Sequence, residues 1–329
     1  MTRIFISTRA LLLAFSLILG GMHSPMSAQG AEKVRVGHFP NITHVQGLVA
    51  HYLSRTGTGW FESRLGPDVH IEWYVYNAGP SAIEAILARS IDLTYVGPSP
   101  ALNAYTKSGG EDIRMLAGAA SGGAALVVQP GSSLKRPADF RGKTIATPQL
   151  GNTQDIACRS WLIDGGLRIT QTGGDVSILP TPNPDQFDLF QSKKLDAVWT
   201  VEPWVSRLER EAGGTVLVEQ SQDSITVLVT SPQFLAKKRD LATRFAEAHR
   251  ELTAWIIAHP DEAKRMVHEE LRLETRSDVG RDLIERAWTR ITLTPDISVP
   301  ELQRFVANAQ RAGFLRTAPD LSRLIERGP

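Results

Sequence analysis

The feature that most constrains the fold is a repeated unit in which a short apolar run stops at a glycine or small polar residue and restarts at once as a helix. Residues Ser90 to Pro100 show it in one stretch. Ile91 to Val96 carries the apolar, β-branched content of a buried strand, Gly97 interrupts it, and Ser99 followed by Pro100 reads as an N-cap and first helical turn. A helix opened in this way turns free N–H groups and a positive dipole end toward whatever lies beyond the strand, which is a ready anion site. Two more such turns occur. Asn77-Ala78-Gly79-Pro80-Ser81 follows the run Ile71 to Tyr76, with Ser81 and Glu84 spaced as a capping box, and Pro148 to Asp155 follows Thr144 to Ala146. Any one cap can serve only its own helix. Several at strand ends point to one shared ligand site, because open α/β sheets bind ligands beyond the carboxyl ends of their strands.

Strand-like runs continue at Val34–Gly37, Ile113–Leu116, Leu126–Gln129, Val176–Leu179, Ala197–Thr200, Val216–Val218 and Ile225–Thr230, with helical patterns between them. The alternation predicts an α/β protein with mainly parallel sheets. The small-residue stretch Ala117–Ala125 and the polar stretch Glu219–Ser224 are the expected crossings between two lobes, and such crossings can act as hinges. The lobes are then 31–120 with 225–329, and 121–224. From Ala236 onward the pattern is helical, with Leu241, Phe245, Ala248, Leu252, Trp255 and Ile256 at helical spacing, and is expected to pack on the first lobe.

Residues 1–30 read as a cleaved secretory signal peptide: Arg3 and Arg9, then an apolar run Ala10–Leu19 too short to span a bilayer, then Ala28-Gln29-Gly30. The lone cysteine, Cys158, falls in a predicted helix, so neither a lipid anchor nor a disulfide framework is expected. Export without an anchor suggests the periplasm. Without the leader's two arginines the chain has 34 basic against 35 acidic residues, which leaves no basic field for nucleic acid.

Several stretches resemble the soluble binding proteins of bacterial nitrate, sulfonate and taurine ABC importers, the NitT/TauT-like substrate-binding family. They are Val34-Arg35-Val36-Gly37-His38-Phe39-Pro40, the run from Gly79 to Leu93 followed by Gly97-Pro98-Ser99-Pro100, Leu134 to Ala146, Gly151-Asn152-Thr153, and Leu195 to Trp204. The resemblance spans nearly the whole mature chain in order. It implies a two-lobe type II periplasmic binding protein fold that closes on a small molecule and presents it to an inner-membrane permease, as a monomer, without cofactor or metal and without covalent chemistry.

The expected oxyanion contacts are Ser81, Ser99, Asn152 and Thr153, with backbone N–H groups near Gly79, Gly97 and Gly151. The loop after the first strand should also face the cleft, with Phe39, Asn41 and His44 as candidates; Ser121 is expected there from the crossing. His38 and His44 could reach an anion, but with no third ligand at metal spacing they predict no metal site. Trp199 and Trp204 are expected to wall the pocket, one of them being plain core. Glu202 has two readings. Facing the cleft, it would pair with the ammonium of an aminosulfonate such as taurine; otherwise it is an acid at the start of the helix after Pro203. The expected ligand is a small organosulfonate, taurine or a short alkanesulfonate. Nitrate, a vitamin precursor or an aromatic acid are the alternatives, as is delivery to a sensor. An enzyme like the pyrimidine-precursor synthases is disfavoured, since Cys158 alone supplies no cysteine-rich segment.

Overall fold

The alternation of strand and helix takes shape in a computed structural model that describes residues 32–326; the signal peptide expected at 1–30 lies outside them. The chain opens with strands β1 (Glu32–His38), β2 (Val69–Val75), β3 (Leu93–Val96) and β4 (Arg114–Gly122), separated by helices α1 (Val45–Arg55), α2 (Trp60–Leu65), α3 (Gly79–Leu87) and α4 (Pro98–Lys107). A middle stretch holds β5 (Ala124–Val128), β6 (Thr144–Thr147), the small pair β7 (Ile169–Thr170) and β8 (Gly173–Gly174), β9 (Ser177–Pro180), β10 (Ala197–Val201) and β11 (Thr215–Gln220). Its helices are α5 (Thr153–Asp164), α6 (Asn183–Gln191) and α7 (Trp204–Ala212). The remainder is β12 (Ser224–Thr230), α8 (Pro232–Ala258), α9 (Pro260–Thr275), α10 (Arg281–Trp288), β13 (Ile291–Leu293) and α11 (Val299–Arg311).

Two main sheets result, ordered β13-β4-β12-β3-β1-β2 and β11-β5-β10-β6-β9. This is the two-lobe type II periplasmic binding protein fold. The chain crosses from the first sheet to the second between Gly122 and Ala124 and returns between Gln220 and Ser224. Both glycines at the first crossing have φ near +75°, and a β-carbon on Gly122 would overlap the Arg290 carbonyl oxygen, so no other residue fits there without strain. The sheets are mixed rather than mainly parallel. β1 runs parallel to β2 and β3, and β6 to β9 and β10, but β12 is antiparallel to β3 and β4, and β5 to β10 and β11. A strand that enters its sheet through a crossing, not through a helical crossover, is free of the rule that makes βαβ neighbours parallel.

Period-two alternation explains the layers. In β5, Leu126 and Val128 pack with Phe140 and Trp199 on one face, while Ala125 and Val127 pack with Phe190 and Val205 on the other. In the first lobe, Leu93 and Tyr95 of β3 face α1, α8 and α9, and Val96 faces α3, α4 and α11. The C-terminal region is not wholly helical. Ile291–Leu293 adds an edge strand whose Thr292 stands opposite Ser121; three residues between helices give too short a pattern to read. α10 and α11 also reach the second lobe, where Arg286 pairs with Glu209 at 2.9 Å and Arg311 with Asp164 at 3.4 Å.

Candidate functional site

Four helices begin at one cavity, two from each lobe. Ala78 and Gly79 at the start of α3 and Gly97 at the start of α4 come from the first lobe; Asn152 and Thr153 at the start of α5 and Asn183 at the start of α6 come from the second. The cavity has about 360 Å³ of empty space, its open mouth included.

The prolines and one asparagine set these helix ends. α4 starts at Pro98 after Gly97, and α3 starts at Gly79 with Pro80 in its first turn; neither has a capping side chain. The expected serine caps are therefore not formed. Ser99 and Ser81 each sit inside the first turn, because the earlier proline already supplies a helix-compatible φ and needs no N–H partner. At α5 the cap is real: Asn152 Oδ1 accepts from the Asp155 N–H at 2.8 Å, and Asn152 Nδ2 donates to Gln154 Oε1 at 2.9 Å.

The loop after β1 forms a further wall with Phe39, Asn41, Thr43 and His44. Asn41 Oδ1 accepts from Trp204 Nε1 at 3.1 Å and from Asn183 Nδ2 at 3.4 Å, which ties this loop to the second lobe. Across the cleft the Ser99 N–H donates to Thr153 Oγ1 at 3.4 Å, and Ser81 and Gln149 exchange side-chain hydrogen bonds. His44 packs its ring on Phe39 with centroids 4.2 Å apart, and its Nδ1 has no partner among the described residues. Burial, with His38 nearby, holds its pKa well below the ordinary histidine value, so the imidazole is neutral at neutral pH. Val201, Ile225 and Pro148 supply apolar patches. Among the described residues, no Asp, Glu, Lys or Arg lines the cavity. The arrangement offers amides, hydroxyls and helix-end N–H groups in a neutral shell, which suits a small anion with a short apolar tail.

Of the residues singled out from sequence, the cavity gathers Phe39, Asn41, His44, Gly79, Gly97, Asn152 and Thr153. The others lie elsewhere. Ser81 is spent on Gln149, Ser99 is buried with an Oγ that has no partner among the described residues, and Ser121 lies in the ladder between β4 and β13. Gly151 sits beside Phe314 and donates its N–H to Asp155 at 2.9 Å. Trp199 is core of the second lobe, its Nε1 donating to Gln220 at 2.8 Å, and Trp204 acts only through Asn41. Thr43, Asn77, Gln154, Asn183 and Ile225 line the cavity without having been singled out. Asn183 could have been found: Thr181-Pro182-Asn183 after β9 is the same strand-to-helix turn as the other three.

Glu202 does not line the cavity. Fully buried, its carboxylate accepts from the Ser206 N–H at 3.1 Å, from Ser206 Oγ at 2.8 Å and from Arg290 at 3.0 Å, so it closes the first turn of α7 and binds an arginine of the other lobe. Burial raises its pKa above the usual carboxylate value, against the pull of Arg290 and Ser206. Arg290 also meets Glu209 at 2.8 Å and Glu219 at 3.2 Å. The ammonium-pairing role read for Glu202 has no carboxylate to perform it. His38 is likewise behind the cavity wall, fully buried, and the fold gives it neighbours that sequence spacing could not: His51 and Glu274.

Comparison with known proteins follows the same outline. The model of the NMT1-like family matches residues 27–269. A Brucella abortus (strain 2308) chain named as a proposed binding protein is 22% identical over 295 residues, covering 86% of this chain and 87% of its own. A Bacillus subtilis (strain 168) chain, named as a proposed aliphatic sulfonates-binding protein, is 24% identical over 239 residues, 70% of this chain and 68% of its own. Among solved structures, the alkanesulfonate-binding protein SsuA from Xanthomonas axonopodis pv. citri, bound to MOPS, superposes with a TM-score of 0.69 at 19% identity, covering 86% of this chain and 93% of that one.

Proposed function

The chain belongs to the NMT1-like family, and on that premise we propose that it is the periplasmic solute-binding component of an ABC importer for small organosulfonates, a short alkanesulfonate ahead of taurine. The observation that carries the reading is the convergence of four helix N-termini, two per lobe, on a cavity without a charged side chain. Helix ends and amides bind an oxyanion through directed hydrogen bonds, and closure of the lobes shuts out water and strengthens each of them. In this reading the lobes are 31–120 with 225–329, and 121–224, and the two crossings between the sheets let them open. The exported monomer binds its ligand in the cleft, closes, and delivers it unchanged to the inner-membrane permease. The names carried by the Bacillus subtilis relative and by the Xanthomonas structure support a sulfonate as the ligand class.

Phe39, Val201 and Ile225 favour a ligand with an alkyl tail over bare nitrate, which needs only the polar part of the cavity. A thermal-shift screen of the purified protein against ethanesulfonate, taurine, nitrate, sulfate and aromatic acids tests the reading. Concentration-dependent stabilisation by sulfonates is expected. Stabilisation by nitrate alone, or by an aromatic acid alone, would replace the ligand and leave the fold untouched.

A further inference from the structure

Behind the loop that walls the cavity lies a buried cluster that the sulfonate reading does not use. His38 is the last residue of β1, His51 lies on α1, and Glu270 and Glu274 lie one turn apart on α9. His38 Nε2 is 3.0 Å from His51 Nδ1 and 3.0 Å from Glu274 Oε1, and His51 Nδ1 is 2.9 Å from Glu274 Oε1. His51 Nδ1 is also 2.9 Å from Glu270 Oε1, which in turn accepts from Arg55 Nε at 2.8 Å.

Hydrogen bonding alone fills this arrangement poorly. Three atoms stand in mutual contact at about one distance, while each ring nitrogen has at most one proton to give. His38 Nδ1 lies 3.3 Å from the Phe39 carbonyl oxygen, a bond that only an N–H can make. A ring whose one proton sits on Nδ1 presents a lone pair at Nε2 to a carboxylate oxygen. The second oxygens, Glu270 Oε2 and Glu274 Oε2, are buried with no hydrogen-bond partner among the described residues. Two carboxylates whose side chains are 0% and 1% exposed thus leave acceptor capacity unused in the interior.

We propose that His38 Nε2, His51 Nδ1 and Glu274 Oε1 form a binding site for a divalent transition-metal ion, with zinc the best match. Two imidazoles and a carboxylate are a borderline donor set of the kind zinc takes. Ligand atoms at about 2.0–2.1 Å from a tetrahedral ion lie roughly 3.3 Å from one another, so the three atoms need to move apart by only a few tenths of an ångström. The outer contacts also fit: the Phe39 carbonyl fixes the His38 tautomer, and Arg55 orients Glu270, which stands beside the fourth position. The ion would fasten the end of β1, and with it the loop from Phe39 to His44, to α1 and α9. The site is separate from the ligand cavity, so its failure would not touch the sulfonate reading.

The test is titration of the chelator-stripped protein with Zn²⁺ in competition with a chromophoric chelator, repeated with Co²⁺ for its visible absorption. One ion per chain is expected, with affinity lowered at least about 100-fold in Glu274→Gln and in His51→Ala, since losing even an outer-shell partner of a bound metal costs about 10–100-fold. His268→Asn, at a separate histidine beside Asp278, should bind as the parent does. Zn²⁺ should also raise the melting temperature of the unsubstituted protein in a concentration-dependent way, a readout that needs no variant to fold. Absence of stoichiometric binding and of that shift, or binding unchanged in both variants, would overturn the proposal and leave a protonated imidazole as the bridge.

Discussion

Two regions lie on the same seam between the lobes and are built in opposite ways. The cavity holds amides, hydroxyls and helix ends with no charged side chain among the described residues lining it, whereas Arg290 gathers Glu202, Glu209 and Glu219 from the second lobe. Each of these carboxylates has Arg290 as a partner, and none of them lines the cavity. Segregation of this kind lets ion pairs hold the lobes together without repelling an anion in the cleft. Closure and ligand binding can then be perturbed separately.

The largest effect should come from the charged side. Arg290→Ala strips three carboxylates of their shared cation, and since the arginine side chain is only 15% exposed and Glu202 is fully buried, a loss of about 3–5 kcal/mol in denaturant unfolding is expected. A loss under about 1 kcal/mol would mean that the cluster is no lock. Acid separates this cluster from a neutral buried group. His249 donates from Nε2 to the Gly118 carbonyl oxygen at 2.7 Å and accepts at Nδ1 from the Tyr95 hydroxyl at 3.0 Å, and burial lowers its pKa from 6.5 to about 4. The unfolded chain therefore binds this proton first. Stability from His249 is complete above pH 6.5 and falls by about 3 kcal/mol as pH drops to 4. Glu209 acts lower: burial opposes its charge, but Arg290 and Arg286 hold its pKa below 4.5, so its contribution is lost only beneath that value. Melting curves should show the His249 share of the loss between pH 6.5 and 4 vanish in His249→Gln, while the share from His44, whose pKa burial also lowers, remains.

On the cavity side, a side chain at Gly97 would overlap Thr153 Oγ1 of the other lobe. Gly97→Val should disfavour closure by about 1–3 kcal/mol, measured as a roughly 5- to 150-fold weaker sulfonate Kd with little change in melting temperature. Unchanged affinity would show that the lobes bind ligand without meeting there. The smallest effect is expected from Glu202→Gln on ligand preference. Because the carboxylate faces Arg290, the ratio of taurine to ethanesulfonate affinity should stay the same, while stability falls modestly.

The same contrast shows what was legible in the sequence. The strand-to-helix turns around Gly79, Gly97 and Asn152 could be read because strand, break and helix start are contiguous, and they led to the cavity. Family resemblance gave the two-lobe architecture. The Ser81 and Ser99 caps misled because proline can open a helix one position earlier without a side-chain cap. Arg290 could not be read at all: 88 residues separate it from Glu202, and nothing local marks an arginine between α10 and β13 as the partner of a buried acid. His51 and Glu274 beside His38 are the same case, separated by 223 positions. Pairings of this kind are set by how α9 and α10 pack, and that information is spread over the whole core.

The central claim is that an uncharged cavity binds a small sulfonate through helix ends and amides. Isothermal titration of the unsubstituted protein with ethanesulfonate and with taurine tests it most directly. Tighter binding of ethanesulfonate is predicted, by about tenfold or more, because the taurine ammonium would lose its hydration without gaining a carboxylate. Tighter binding of taurine would contradict the account, since it would require an acidic group in the cleft where the structure has none among the residues lining it.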